Sequence, residues 1–179
     1  MRELLSGGDR RSQAMSHLAL ARVRDDPKRI RELAALVDDE DWLVSMRALD
    51  LLEKLAHEHP EWIEPHKRVF LGDAAASDKW EILLQVMRAL PLFRWTPAER
   101  RRAIRTLRRG VAFPQSFVQA WALDGLATFA EKDAALRREV LRSLAAFERS
   151  GKKSLEARAR HIRARLAEQG PRPRARKTR

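Results

Sequence analysis

Along residues 40–57 the apolar positions Trp42, Val44, Ala48, Leu49, Leu51, Leu52 and Leu55 cover well over half of a helical wheel at about 100° per residue. A helix apolar over that much of its circumference is covered on more than one side. Solvent is left one narrow stripe, Leu43, Arg47, Asp50 and Lys54, whose three- and four-residue spacing permits an Arg47–Asp50–Lys54 charge ladder. The centre of this helix recurs: Met46-Arg47-Ala48-Leu49, Met87-Arg88-Ala89-Leu90, Ala120-Trp121-Ala122-Leu123 and, degenerate, Ala157-Arg158-Ala159-Arg160. The anchoring alanines lie 41, 33 and 37 residues apart. Recurrence at that length predicts stacked helix pairs, with each copy in the second helix of its pair.

Local punctuation divides the chain into about nine helices. An N-terminal one spans roughly 9–24, followed by pairs at 27–37 with 40–57, 60–72 with 77–92, 97–109 with 114–130, and 133–149 with 153–168. Asp26 before Pro27 is an N-cap with proline at the first helical position. Asp38 to Asp41 offers caps before Trp42, Pro60 opens the next helix, and Ser77 precedes the helix holding Trp80. Thr96-Pro97-Ala98-Glu99 combines a capping box with a first-turn proline. Pro114 and Asp133 start two more helices, and Gly110, Gly151 and Gly170 stand where helices should end. No stretch alternates with period two, so no sheet is predicted. Residues 1–8 are expected to fray, residues 9–169 to form one domain, and 170–179 to be a disordered basic tail, since that segment has nothing to bury.

Composition changes this picture in two respects. There are no cysteines, which excludes disulfides, thiolate metal sites and a cysteine nucleophile, and fits a cytoplasmic protein. No apolar run approaches the roughly 18–20 residues of a membrane span, and Met1 to Arg11 carries no apolar signal core. The net charge of +12 is unevenly placed. Residues 1–95 hold 15 Lys/Arg and 17 Asp/Glu, whereas residues 96–179 hold 22 and 8. A basic half beside a neutral half points to a polyanionic partner, nucleic acid first. The competing reading is arginine scattered over ordinary helical surfaces.

The segment Asp41-Trp42-Leu43-Val44-Ser45-Met46-Arg47-Ala48-Leu49 resembles the second-helix signature of HEAT repeats, with an aspartate before it, an apolar run and an arginine. The resemblance covers roughly residues 25–168. It implies an all-α, right-handed α-solenoid of about four helix pairs plus an N-terminal capping helix, with the second helices on the concave side. The second copy departs from the pattern at Pro91, and the fourth has lost its large apolar residues, as a solvent-facing terminal repeat should.

Equivalent positions then predict a concave ribbon of Arg47, Lys54, Arg88, Trp121, Asp124, Arg158, His161 and Arg165, in which arginines meet phosphates and Trp121 offers a stacking surface. Trp121 also reads as a core residue, because its neighbours are core-like. The helix 97–109 carries Arg100, Arg101, Arg102, Arg105, Arg108 and Arg109 against a single Glu99, and that many unpartnered arginines call for an anion. Arg101, Arg105 and Arg108 therefore join Arg47, Arg88, Arg158 and Arg165 as candidate nucleic-acid contacts. Because this helix is the first of its pair, its arginines should lie on the convex side.

Little in the sequence points to catalysis. His57-Glu58 is one His-Glu pair, whereas the HEAT-repeat hydroxylases that bind two irons need four. His17 and His66 have no partner at ligand spacing. Gly7-Gly8 is not followed by a phosphate-loop lysine, and no Ser-His-Asp motif occurs. One enzymatic alternative rests on similarity to the HEAT-like DNA alkylation repair glycosylases. It would place Trp121 and Asp124, one turn apart, beside a lesion, where the carboxylate could stabilise a cationic sugar. The expectation is a monomeric, non-enzymatic binding module without cofactor, metal or membrane, docking DNA or RNA, with an acidic protein as the alternative partner.

Overall fold

The computed structural model describes residues 1–168, which contain ten α-helices and no strand. They are α1 Arg2–Leu5, α2 Ser16–Asp25, α3 Ile30–Ala35, α4 Trp42–Glu58, α5 Pro60–Ile63, α6 Trp80–Ala89, α7 Pro97–Val111, α8 Ser116–Phe129, α9 Ala134–Glu148 and α10 Lys153–Glu168. The expected tail at 170–179 lies outside the described residues.

The starts of the helices follow the side chains. Asp41 accepts a hydrogen bond from the Leu43 amide and Asp133 from the Leu136 amide. Thr96 and Glu99 close a reciprocal capping box ahead of Pro97. Proline sets two irregular stretches. Pro65 cannot donate to the carbonyl four residues back, and α5 tightens into a 3-10 run over Glu64–Leu71. Pro91 does the same to α6, which ends at Ala89 and continues as the 3-10 turn Leu90–Leu92.

Four helices form a continuous row: α4 packs on α6, α6 on α8, and α8 on α10. Beside that row lie α3 on α4, the 64–71 run on α6, α7 on α8, and α9 on both α8 and α10. One apolar core runs through all of them, from Leu5 and Leu33 through Leu52, Met87 and Leu123 to Ile162. Gly110 does not end α7 as expected but lies within it, facing the row. A methyl group there would come within 2.7 Å of Ala122 Cβ and collide with the Met87 sulfur, so hydrogen alone fits.

The N-terminus departs from expectation. Residues 1–8 do not fray as a whole: α1 packs on α4 and buries Leu4 and Leu5. The next helix begins at Ser16 rather than near residue 9, because the intervening chain turns through left-handed Gly7, Gly8 and Ala14. Arg47 holds this segment. It is fully buried, and its guanidinium donates to the carbonyls of Leu5 at 2.5 Å, Asp9 at 3.0 Å and Ser12 at 2.9 and 3.1 Å.

Candidate functional site

Four of the six α7 arginines have partners, contrary to the expectation that none does. Arg102 donates to the Leu71 carbonyl at 2.9 Å. Arg109 donates to the carbonyls of Ala75 and Ser77, both at 2.6 Å, and to Asp78 at 3.0 Å. These two reach back to residues 71–78, ahead of α6. Arg100 and Arg108 reach forward, the first to the Phe129 carbonyl at 2.9 Å and to Asp133, the second to both oxygens of Glu139 at 2.6 and 2.8 Å. Leu71, Ala75 and Phe129 lie at or near the ends of helical segments, where carbonyls lack intrahelical donors. Much of the arginine in α7 therefore serves as struts to the helical segments before and after it. The carboxylates record this. Glu139 is held below its ordinary range chiefly by the Arg108 hydrogen bond, and Asp133 by the Leu136 amide and then by Arg100.

Arg101 and Arg105 are different. They are exposed, one turn apart, and make no hydrogen bond or ion pair among the described residues. Both border an open groove of about 420 Å³ between α7 and α9. Arg108 lines the same groove but spends its charge on Glu139. On α9, exposed Arg138 is likewise without a partner among the described residues. Arg142 lies near Glu139, whose oxygens are already taken. The outer surface of α7 and α9 thus carries positive charge that the fold does not use.

The ribbon expected along the second helices is largely committed to the fold. Arg47 leaves it altogether, since it is buried under the N-terminal segment, and the Arg47–Asp50–Lys54 ladder reduces to a 2.6 Å Lys54–Asp50 pair. Arg88 lies 3.0 Å from Glu53, a carboxylate with no exposed surface that also meets His57 Nε2 at 2.8 Å. Burial holds the Glu53 carboxyl above its ordinary range, against the pull of Arg88 and His57. Asp124 takes Arg158 on one oxygen at 2.8 Å and Arg165 on the other at 2.6 Å.

Trp121 is neither a plain core residue nor a free platform. It is half-buried, with the Arg158 guanidinium 3.9 Å and the Arg88 guanidinium 5.3 Å from the ring centroid. Glu53 is the residue that sequence reasoning missed. Its signal was a carboxylate one position off the exposed stripe in an otherwise apolar helix. Phe117 is 57% exposed and lies against Trp80.

Among the described residues no group of three His, Cys, Asp or Glu is placed to hold a metal ion, and no helix is long and apolar enough to cross a membrane. No protein-family model matches the chain, and a comparison with curated proteins finds no match.

Proposed function

We propose that the chain is a non-enzymatic, HEAT-like α-solenoid binding module that docks a nucleic-acid polyanion through the outer surface of α7 and α9. Two things support the solenoid: the 41-, 33- and 37-residue recurrence and the successive contacts of α4, α6, α8 and α10. The row of second helices would line the concave side, and α7 and α9 the convex side. The observation that carries the docking site is the Arg101–Arg105 pair, exposed and unpartnered beside a groove whose acids already serve other arginines. Phosphate oxygens would replace water at these guanidiniums and release counterions, with little readout of bases. The glycosylase alternative needs a carboxylate free to face a cationic sugar, whereas each Asp124 oxygen lies within 2.8 Å of an arginine nitrogen. That weighs toward binding rather than catalysis.

The test is fluorescence anisotropy of a labelled DNA duplex, and of an RNA of the same sequence, against wild type and the Arg101→Ala/Arg105→Ala variant over a salt series. Each phosphate contact to duplex DNA contributes about 0.9 to the log–log salt slope, so the variant's slope should be shallower by about 1.8. Between about 50 and 200 mM salt its affinity should then fall about twelvefold less than that of wild type. Because this is a difference between two full chains, any contribution from residues 169–179 cancels. Equal slopes would refute the assigned surface. Binding to polyglutamate rather than to either nucleic acid would instead identify an acidic protein as the partner.

A further inference from the structure

A second feature stands apart from α7. Between the C-terminal parts of α4, α6 and α8 and the helix α10 lies a cleft of about 210 Å³. Its apolar lining includes Pro91, Leu92 and Trp121, and its charged and polar lining includes His57, Arg88 and Arg165. Two carboxylates belong to it: Asp124 is part of its lining, and Glu53 stands behind it. Glu53 has no exposed surface, and the Asp124 side chain is 8% exposed, so neither can turn out to water. They fix three guanidiniums, those of Arg88, Arg158 and Arg165. Three cations against two anions leave one positive charge over, before His57 is considered.

A part-buried cation without an anion of its own is stabilised when an external anion meets it. Arg88 meets Glu53 through Nη2; its Nε and that of Arg165 are buried and donate to nothing among the described residues, while the Glu53 carboxylate and Asp124 Oδ1 form ion pairs without a well-aligned hydrogen bond. The Arg88 and Arg165 side chains keep 28% and 29% of their surface exposed, so the surplus charge is within reach of a ligand. An apolar cavity of about 150 Å³ is enough to hold a benzene ring, so the cleft has room for a small flat body as well as a charged head.

We propose that this cleft binds a small carboxylate carried on a short apolar or aromatic body. The carboxylate meets Arg88 and Arg165, and the body lies against Pro91, Leu92 and Trp121. The site is independent of the α7–α9 surface, and neither reading requires the other. Two sources could present this chemistry: a free aromatic or aliphatic acid, or a glutamate side chain of a peptide.

The test follows the indole N–H resonance of Trp121, assigned with Trp121→Phe, in the full ¹⁵N-labelled chain. The probes are benzoate, its neutral counterpart benzyl alcohol, and a capped Gly-Glu-Gly tripeptide. Benzoate should move the resonance saturably, with a dissociation constant on the order of 1 mM, and benzyl alcohol should not. Arg165→Gln should weaken benzoate at least about tenfold, the loss of one charge-assisted partner. Arg101→Ala/Arg105→Ala should leave benzoate binding unchanged while altering nucleic-acid binding. A tripeptide as strong as benzoate assigns the site to a peptide side chain, and benzoate alone assigns it to a free acid. Absence of a saturable shift up to about 20 mM benzoate, twentyfold above that expected constant, overturns the proposal. So does an equal response to benzyl alcohol. If Arg165→Gln does not fold, the benzoate and benzyl alcohol pair on wild type still decides.

Discussion

Replacing Arg47 by methionine should loosen the N-terminal segment and weaken the whole fold. Methionine keeps most of the apolar stem, so the change removes the guanidinium with little change in packing. The three carbonyls it serves differ in exposure. The bond to Leu5 is buried, whereas those to Asp9 and Ser12 are partly buried and can turn to water. A buried acceptor left without a donor costs about 1–3 kcal/mol, and a partly buried one costs less. The chain can also escape by releasing residues 1–15, which forfeits burial of Leu4 and Leu5 at about 1.5–3 kcal/mol each. The cheaper route governs, so the net loss should be about 2–4 kcal/mol. Denaturant unfolding followed by tryptophan fluorescence measures the loss, and hydrogen exchange at the Leu4 and Leu5 amides shows whether the segment has come away. Arg47→Lys should recover only part, since one ammonium cannot span three carbonyls. A loss below about 0.5 kcal/mol, the size of an ordinary surface substitution, with exchange at Leu4 and Leu5 unchanged, would refute this role for Arg47.

Other consequences are more local. Gly110→Ala should destabilise by about 1–3 kcal/mol, because the new methyl has Ala122 Cβ at 2.7 Å and neither helix can yield; thermal unfolding reads it directly. Asp124→Asn should cost about 2–3 kcal/mol in denaturant unfolding, as Arg158 and Arg165 lose their shared anion but remain exposed enough to find water. Glu99 is lowered to about 2, first by the Thr96 hydroxyl and then by Arg68. Its folded value lies below its unfolded one, so its contribution is present above the usual carboxylate range and disappears as pH falls toward 2. The stability gap between wild type and Glu99→Gln, measured by urea unfolding at a series of pH values, should therefore close on acidification.

Much of the helical frame was legible because its signals are local. Asp41, Thr96 with Glu99, and Asp133 each act within three residues of themselves, and the helices they open start where those residues predict. The prolines at 65 and 91 were equally visible, yet their outcome was not. Whether a helix stops or tightens into a 3-10 run depends on what packs against it, as the 64–71 run does on α6 and α7. The site was less legible for a related reason. An arginine on a helix surface is read against acids three or four residues away, and by that rule α7 looks unpartnered. Its actual acceptors lie between 29 and 34 residues distant, and several are backbone carbonyls, which no residue identity betrays. In a chain of stacked helices the neighbour that matters is one repeat away, so partners recur at the repeat spacing rather than at the helical one. Arg88 with Glu53, at 35 residues, and Arg158 with Asp124, at 34, obey the same spacing along the other row. By that criterion Arg101 and Arg105 remain over, because no acid or carbonyl among the described residues reaches them. Neither the helical nor the longer spacing supplies them a partner among the described residues, and the proposed docking of a polyanion rests on that surplus charge.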